Sequence, residues 1–384
     1  MIKQEMSMPA VLKFVPMEKV QDALCATDKN DKRERDLPNR QTVFFTIALG
    51  LFGSSSYEEV LRTLRDGLDA NYDLPNSRKI AAKSAISNAR QRVGSEPLVE
   101  LFKAVVKPIA IRHSTKGAFA FGRRLVAVDG ILFDVHDTRE NAMEFPRPST
   151  ATGPCAYPQV RCVGLVECGT HVLFDYELTQ GERKSEKALA TVLLARLEPG
   201  QLCLADRLYS DYKRWKIAAD TGADLLWRVK SDIRLDRGKT CEDGSYMSEL
   251  YGGDREDGVC CPVRVIEFTV KHKGSREKYR LITTLKPSEA SAQQLAGLYR
   301  ERWEWEAFGR EFKSELNQVR GVLRSKLPDL VRQEIVASFL AYYAVRCFMH
   351  EAALSIDEDM DRLSFKHSLS VVRRRISQAR VFSP

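Results

Sequence analysis

The stretch Tyr299–Lys313, YRERWEWEAFGREFK, narrows what this chain can fold into more than any other part of it. It is rich in good helix formers and contains no proline, so it reads as a helix turning by about 100° per residue. With Tyr299 at zero, Arg302 falls at about 300°, Glu306 at about 340° and Lys313 at about 320°, all on one narrow face. The other acids, Glu301, Glu304, Glu311 and Glu315, fall at roughly 120° to 200°, and Leu298, Trp305, Phe308, Phe312 and Leu316 at roughly 180° to 260°. Glu306 is therefore expected to stand apart from the solvated acids, between a basic strip and an apolar seam. An amphipathic helix with i,i+4 charge pairs would use the same residue types. The rest of the chain decides between the two readings.

With 384 residues, 43% of them hydrophobic and 29% charged, the chain can hold more than one domain and bury a large core. Its net charge of +8, from 60 Lys and Arg against 52 Asp and Glu, favours a polyanionic partner. Nine cysteines without a CxxC pair argue against both a disulfide framework and a zinc site, and fit a reduced cytosol. The N-terminus lacks a signal-peptide pattern, and the longest apolar run, Thr42 to Phe52, is too short to span a bilayer. The expectation is a soluble, cytoplasmic protein without a membrane partner.

Residues 1 to about 38 mix proline, methionine and charge and read as a weakly folded lead-in. Helical patterns follow: Thr42 to Phe52, Tyr57 to Leu68 after the capping serines Ser54 to Ser56, the basic SAISNARQRV closed by Gly94, and a further helix opened by Pro97. The basic helix, with Lys83, Ser87, Asn88, Arg90, Gln91 and Arg92, suits a groove of DNA and equally suits the solvated face of a bundle.

At Arg124 the period changes to that of strands. Leu125 to Val128 runs into Asp129-Gly130 and Ile131 to Val135, and Val160 to Glu167 with His171 to Leu178 reads as a hairpin around Cys168-Gly169. Ser185 to Leu197 reads as a helix, Gln201 to Ala205 as a buried strand ending at Asp206, Ser210 to Thr221 as a helix and Asp224 to Val229 as a strand. This β-β-β-α-β-α-β order matches a ribonuclease-H-like mixed-sheet core. The expected layout is a helical N-terminal DNA-binding region (1–120) and a catalytic core (121–229 and 287–330). A β-rich insertion (230–286) interrupts that core, and a helical C-terminal region with a basic tail (331–384) follows.

Three carboxylates acquire positions in such a core: Asp129 at the end of the first strand, Asp206 at the end of the fourth, and Glu306 on the late helix. The first and fourth strands of the fold are neighbours, so the two aspartates meet, with Glu306 brought over them. Three ionised acids at one point repel each other unless divalent cations bind there. Two Mg²⁺ ions about 3.5 to 4 Å apart can clamp one phosphate, which is the chemistry of phosphodiester cleavage and transfer. Arg302 and Lys313 would hold phosphates and Tyr299 would hydrogen-bond one. Arg207 contacts phosphate or only orients Asp206. Asp134, five residues along the same strand, is directed to the opposite face from Asp129. A turn at Asp129-Gly130 and a surface ion pair at Asp206-Arg207 are the bland alternatives.

The spacing Tyr299, Arg302, Glu306, Lys313 resembles the Y-R-E-K motif of the bacterial insertion-sequence-four family of DDE transposases, without a gap. The resemblance runs from about Leu37 to Arg375, through LPNRQTVFFTIALGLF, SAISNARQRVG, the AVDG of Asp129, the LADRLYS of Asp206 and LRSKLPDLVRQEI. It implies that Asp129, Asp206 and Glu306 bind Mg²⁺ or Mn²⁺. It also implies that the enzyme excises an element through hairpin ends and joins it to target DNA, working as a homodimer on the terminal inverted repeats. Ile131 stands where the family usually has threonine, removing a hydroxyl beside the first acid. Family members that form hairpins hold a flipped base with an aromatic residue of the insertion. Here no Trp lies between Arg228 and Arg302, and Tyr246, Tyr251, Phe268 and Tyr279 are the aromatics available. A transposase-derived DNA-binding protein would tolerate loss of an acid, and this chain has lost none. A two-carboxylate glycosidase would not need Arg and Lys beside Glu306.

Overall fold

The computed structural model describes residues 11, 13–33, 35, 37–68, 81–150, 153–180, 185–253, 258–272, 275–316 and 321–376. The chain divides into two compact units, one of Met1–Ile109, Phe133–Val160 and Gly309–Pro384, the other of Ala110–Leu132 and Arg161–Phe308.

The first unit is mainly helical. Its centre is the helix Pro328–Ser355, buried along most of its length, against which the helix Asn39–Leu51 packs. The approach is close at Gly50, where a Cβ would lie 3.0 Å from the Ser338 backbone. The helix Tyr57–Leu68 begins in a reciprocal cap: Ser56 Oγ accepts from Glu59 N at 3.2 Å, and Glu59 accepts from Ser56 N at 3.3 Å. The lead-in is more ordered than its composition suggests. Met17–Ala26 is a helix with Val20, Ala23 and Leu24 buried, because an apolar stripe at helical spacing is worth more than the charges between. The basic C-terminal segment forms the helix Phe365–Ile376, with Arg373 reaching the Leu316 carbonyl at 3.2 Å; the rest of the basic tail, 377–384, lies outside the described residues.

One expected DNA contact, Arg90, is corrected here, and a second, Arg92, is partly engaged within the protein. Arg90, on the basic helix Lys83–Val93, is 2% exposed, and its guanidinium donates to Gln333 Oε1 (2.8 Å), Tyr57 OH (2.7 Å), Ser325 Oγ (3.1 Å) and the Leu330 carbonyl (3.3 Å). A buried cation needs every donor satisfied, and the bundle satisfies these. Arg92 donates to Asn39 Oδ1 (2.7 Å) and the Leu37 carbonyl (2.8 Å), and burial lowers its pKa. Both arginines tie helices together.

The second unit carries the sheet. Its strands are β1 (Arg123–Val135), β2 (Gln159–Glu167), β3 (Val172–Leu178), β4 (Gln201–Ala205), β5 (Asp224–Arg228), β6 (Tyr246–Tyr251), β7 (Cys260–His272) and β8 (Ser275–Thr283). The spatial order is β3-β2-β1-β4-β5-β8-β7-β6. β2 and β3 form the expected antiparallel hairpin, turned at Gly169 with φ 76°. β1, β4 and β5 run parallel, with the helices Glu186–Leu194 and Tyr212–Asp220 between them in sequence. This is the order and direction of a ribonuclease-H-like core. All five residues of β4 are buried, as befits a central parallel strand. The 230–286 segment does not stand clear of that sheet: β8 pairs antiparallel with β5, so its strands extend the same surface. A buried cluster with Trp215 edge-on to Trp227, centroids 5.2 Å apart, packs one face.

Replacing Arg90 with alanine is expected to lower stability by about 2 to 4 kcal/mol, because Gln333 and Tyr57 lose a buried charged partner. Urea unfolding measures this. A DNA-contact role would instead leave the unfolding midpoint in place and flatten the salt dependence of DNA binding.

Candidate active site

The parallel register of β1 and β4 pairs Val128 with Ala205, so the next residues, Asp129 within β1 and Asp206 just past the end of β4, fall side by side. β1 is continuous through Asp129-Gly130, which rules out the turn. The glycine has a different reason to be there. A Cβ at Gly130 would lie 2.6 Å from Cδ of Glu186, the first residue of its helix, so the missing side chain makes room for a fourth carboxylate.

Asp129 Oδ1 accepts from Gly130 N at 2.8 Å and lies 3.5 Å from Tyr209 OH, while Oδ2 accepts from Arg302 at 3.3 Å. Burial pushes its pKa up to about 6. The Gly130 amide and Arg302 pull against that, and the neighbouring Glu186 and Asp206 charges add to it. Tyr209 OH also donates to Glu186 at 2.9 Å, and Arg161 pairs with the other oxygen of that carboxylate. Glu186 was not singled out in the sequence, where it looks like an ordinary first-turn acid.

The Tyr299 segment is helical but not of one pitch. Tyr299–Trp303 is a 3₁₀ turn, Glu304–Arg310 is α-helical and Glu311–Leu316 is a π turn. At three residues per turn Arg302 stands directly over Tyr299, so the shared face survives the change of pitch there. Tyr299 is buried, and its OH donates to the Ala205 carbonyl at 3.1 Å, one residue before Asp206. It braces the helix on β4, a correction to its expected phosphate contact. Arg302 lies between two of the predicted acids, donating to Asp129 Oδ2 and to Glu306 Oε1, each at 3.3 Å. Burial works against its charge, but Tyr299, Asp206, Asp129 and Glu306 outweigh that and its pKa is raised. Its Nε–H is buried and has no hydrogen-bond partner among the described residues.

The expected contrast among the acids is reversed. Glu306 is the exposed one, 64% at its side chain, whereas Glu304 pairs with His171 and accepts from the Gly169 amide at 3.3 Å. Glu311 is buried in the first unit, accepting from Tyr342 OH at 2.6 Å and Arg346 at 3.2 Å. A helical wheel counts angles and cannot count the partners waiting at each angle. Lys313 belongs to the first unit and stands exposed on the π turn.

Beside Arg302 lies a groove of about 880 Å³ lined by Arg228, Phe268, Tyr279, Arg300 and Trp303. Arg228 sits over the Tyr279 ring at 3.9 Å, and the Phe268 and Tyr279 rings are 5.5 Å apart. Arg207 is exposed and lines an adjoining hollow with Arg228 and Arg280. Of the four aromatics considered from the sequence, Tyr246 is buried on Glu267 and Tyr251 is paired with Glu249, leaving Phe268 and Tyr279 in the groove. Trp303, 60% exposed, adds a third from the helix, outside the insertion.

Asp129, Asp206 and Glu306 each offer carboxylate oxygen, the donor a hard divalent cation takes. Arg302 bonds the first and third, and the three carboxylates are not drawn together closely enough among the described residues to ligate one ion without rearrangement.

Residues 6–103 match the family model of the insertion element 4 transposase N-terminal region, and residues 120–344 match that of the transposase DDE domain. Fold and matches together define a DDE transposase. The chain belongs to the IS4 family of these enzymes, and membership implies use of a divalent metal. It is 29% identical over 364 residues to the transposase InsG for insertion sequence element IS4 of Escherichia coli (strain K12), covering 92% of this chain and 79% of the relative. To the putative transposase InsZ of the same strain it is 28% identical over 243 residues, 62% of this chain and 77% of the relative. Among solved structures, a piggyBac transposase synaptic complex with hairpin DNA matches at TM-score 0.49 and 10% identity, over 98% of this chain and 82% of that one. Among the described residues no helix is long and apolar enough to cross a membrane.

Asp129 binds its proton more tightly folded, near pH 6, than unfolded, near pH 4. Its contribution to stability is therefore present below about pH 4 and lost as the pH rises through about 6. Asp129→Asn should stabilise the metal-free protein at pH 7.5 by up to roughly 3 kcal/mol, and by nothing at about pH 4. Thermal unfolding at the two pH values checks it.

Proposed function

We propose that this transposase binds the ends of an insertion element, cleaves it out through hairpin ends and joins its 3′-hydroxyls to target DNA, with Asp129, Asp206 and Glu306 as the catalytic, metal-holding carboxylates. The observation that carries the reading is Arg302 bonded to both Asp129 and Glu306, with Asp206 next to Asp129 in register. Two Mg²⁺ ions, or Mn²⁺ in their place, would supply charge at the scissile phosphate and activate the attacking water or 3′-hydroxyl. The chain's own groups supply the rest. Arg302, already turned to Asp129 and Glu306, would carry the positive charge that faces a phosphate, and Tyr299 keeps the helix of Glu306 seated on β4. Lys313 and Arg207 are exposed cations suited to neighbouring phosphates. Phe268, Tyr279 and Trp303 in the groove give unpaired bases at a hairpin end a stacking surface. The working form is a homodimer on two element ends.

Glu306 is exposed and contributes little packing, so Glu306→Gln should leave folding and end binding intact while abolishing metal-dependent cleavage. A linear DNA carrying the element's own ends, incubated with Mg²⁺ or with EDTA, tests this; near-normal cutting by the variant sinks the assignment. Tyr279→Ala should weaken binding of hairpin ends by about 1 to 3 kcal/mol while sparing fully paired ends. Fluorescence anisotropy with the two DNAs side by side reads the difference.

A further inference from the structure

We propose that Glu186 and Tyr209 are a positioning pair that sets the Asp129 carboxylate for cation binding, an inference that rests on the catalytic reading of Asp129. Tyr209 is fully buried three residues after Asp206, and its hydroxyl donates to Glu186 Oε1 at 2.9 Å while lying 3.5 Å from Asp129 Oδ1. The second oxygen of Glu186 is taken by Arg161. With both oxygens engaged, Glu186 acts as a brace, and Arg161 balances the charge it brings beside Asp129.

The brace is built into the backbone. Glu186 comes so near β1 that a Cβ at position 130 would meet its Cδ at 2.6 Å and its two oxygens at 2.8 and 2.9 Å. A side chain at position 130 would therefore push the Glu186 carboxylate away, and the same residue's N–H holds Asp129 Oδ1 at 2.8 Å. Oδ1 is turned to the Gly130 amide and Tyr209, and Oδ2 to Arg302. A carboxylate held in one rotamer loses less freedom when a cation arrives.

The test is Mn²⁺ binding to the metal-free full-length protein by titration calorimetry, alongside cleavage of element-end DNA. Tyr209→Phe and Glu186→Gln should each weaken Mn²⁺ affinity on the order of 10- to 100-fold with end-DNA affinity unchanged, and excess Mn²⁺ should restore cleavage by Tyr209→Phe. Gly130→Ala should weaken Mn²⁺ binding similarly in the native background and add little in Glu186→Ala, where nothing remains to collide with. Wild-type Mn²⁺ affinity in both Tyr209→Phe and Glu186→Gln, or full additivity of Gly130→Ala with Glu186→Ala, overturns the inference. Asp129→Asn separates the two levels: if it cleaves normally, the catalytic reading itself fails. If it is inactive while the brace variants behave as wild type, only the brace is lost.

Discussion

The pairing of Val128 with Ala205 is the constraint on which the rest of the structure depends. It brings Asp206, the first residue past the end of β4, level with Asp129 on the neighbouring strand. Burial, with smaller additions from the Glu186 and Asp206 charges, pushes the Asp129 carboxyl up to about 6. Arg302 opposes that shift, and Tyr299 anchors the helix that delivers Arg302 by bonding the carbonyl just before Asp206. Strand register, helix anchor and counter-charge form one unit, and stability is given up there in favour of a strong local field.

The same segment shows how one helix can serve several purposes by changing pitch. The 3₁₀ turn stacks Arg302 above Tyr299, and the α-helical turn carries Glu306 outward while burying Trp305 and Phe308. In the π turn Glu311 reaches the buried Tyr342 and Arg346 of the first unit. Its acids consequently divide by partner: Glu304 and Glu311 are engaged with buried groups, and Glu306 is left outward, paired with Arg302. An exposed carboxylate held by one arginine is a group that a cation or a substrate can still recruit.

Much of the sheet was legible in the sequence because it is a short-range matter. Gln201 to Ala205 is an unbroken apolar run, and the hairpin flanks a Cys-Gly pair that bends as such pairs do. Arg90 and Glu186 were misjudged or missed for the opposite reason. Arg90 sits among polar, basic neighbours like a surface residue, and only the arrival of Gln333, Ser325 and Leu330 from 235 or more residues away buries it. Glu186 looks like a helix-starting acid until β1 is laid beside it.

By itself the sequence determined the order of strands and helices and the type of core, since periodicity is written along the chain, and it named three acids as candidates for the site. Tertiary structure decided which charges are buried and which stay free, why residue 130 is glycine, and that Tyr299 braces a strand. Those outcomes depend on groups that meet across the fold, and electrostatic and steric energies are set by distance in space, which no spacing along the chain records.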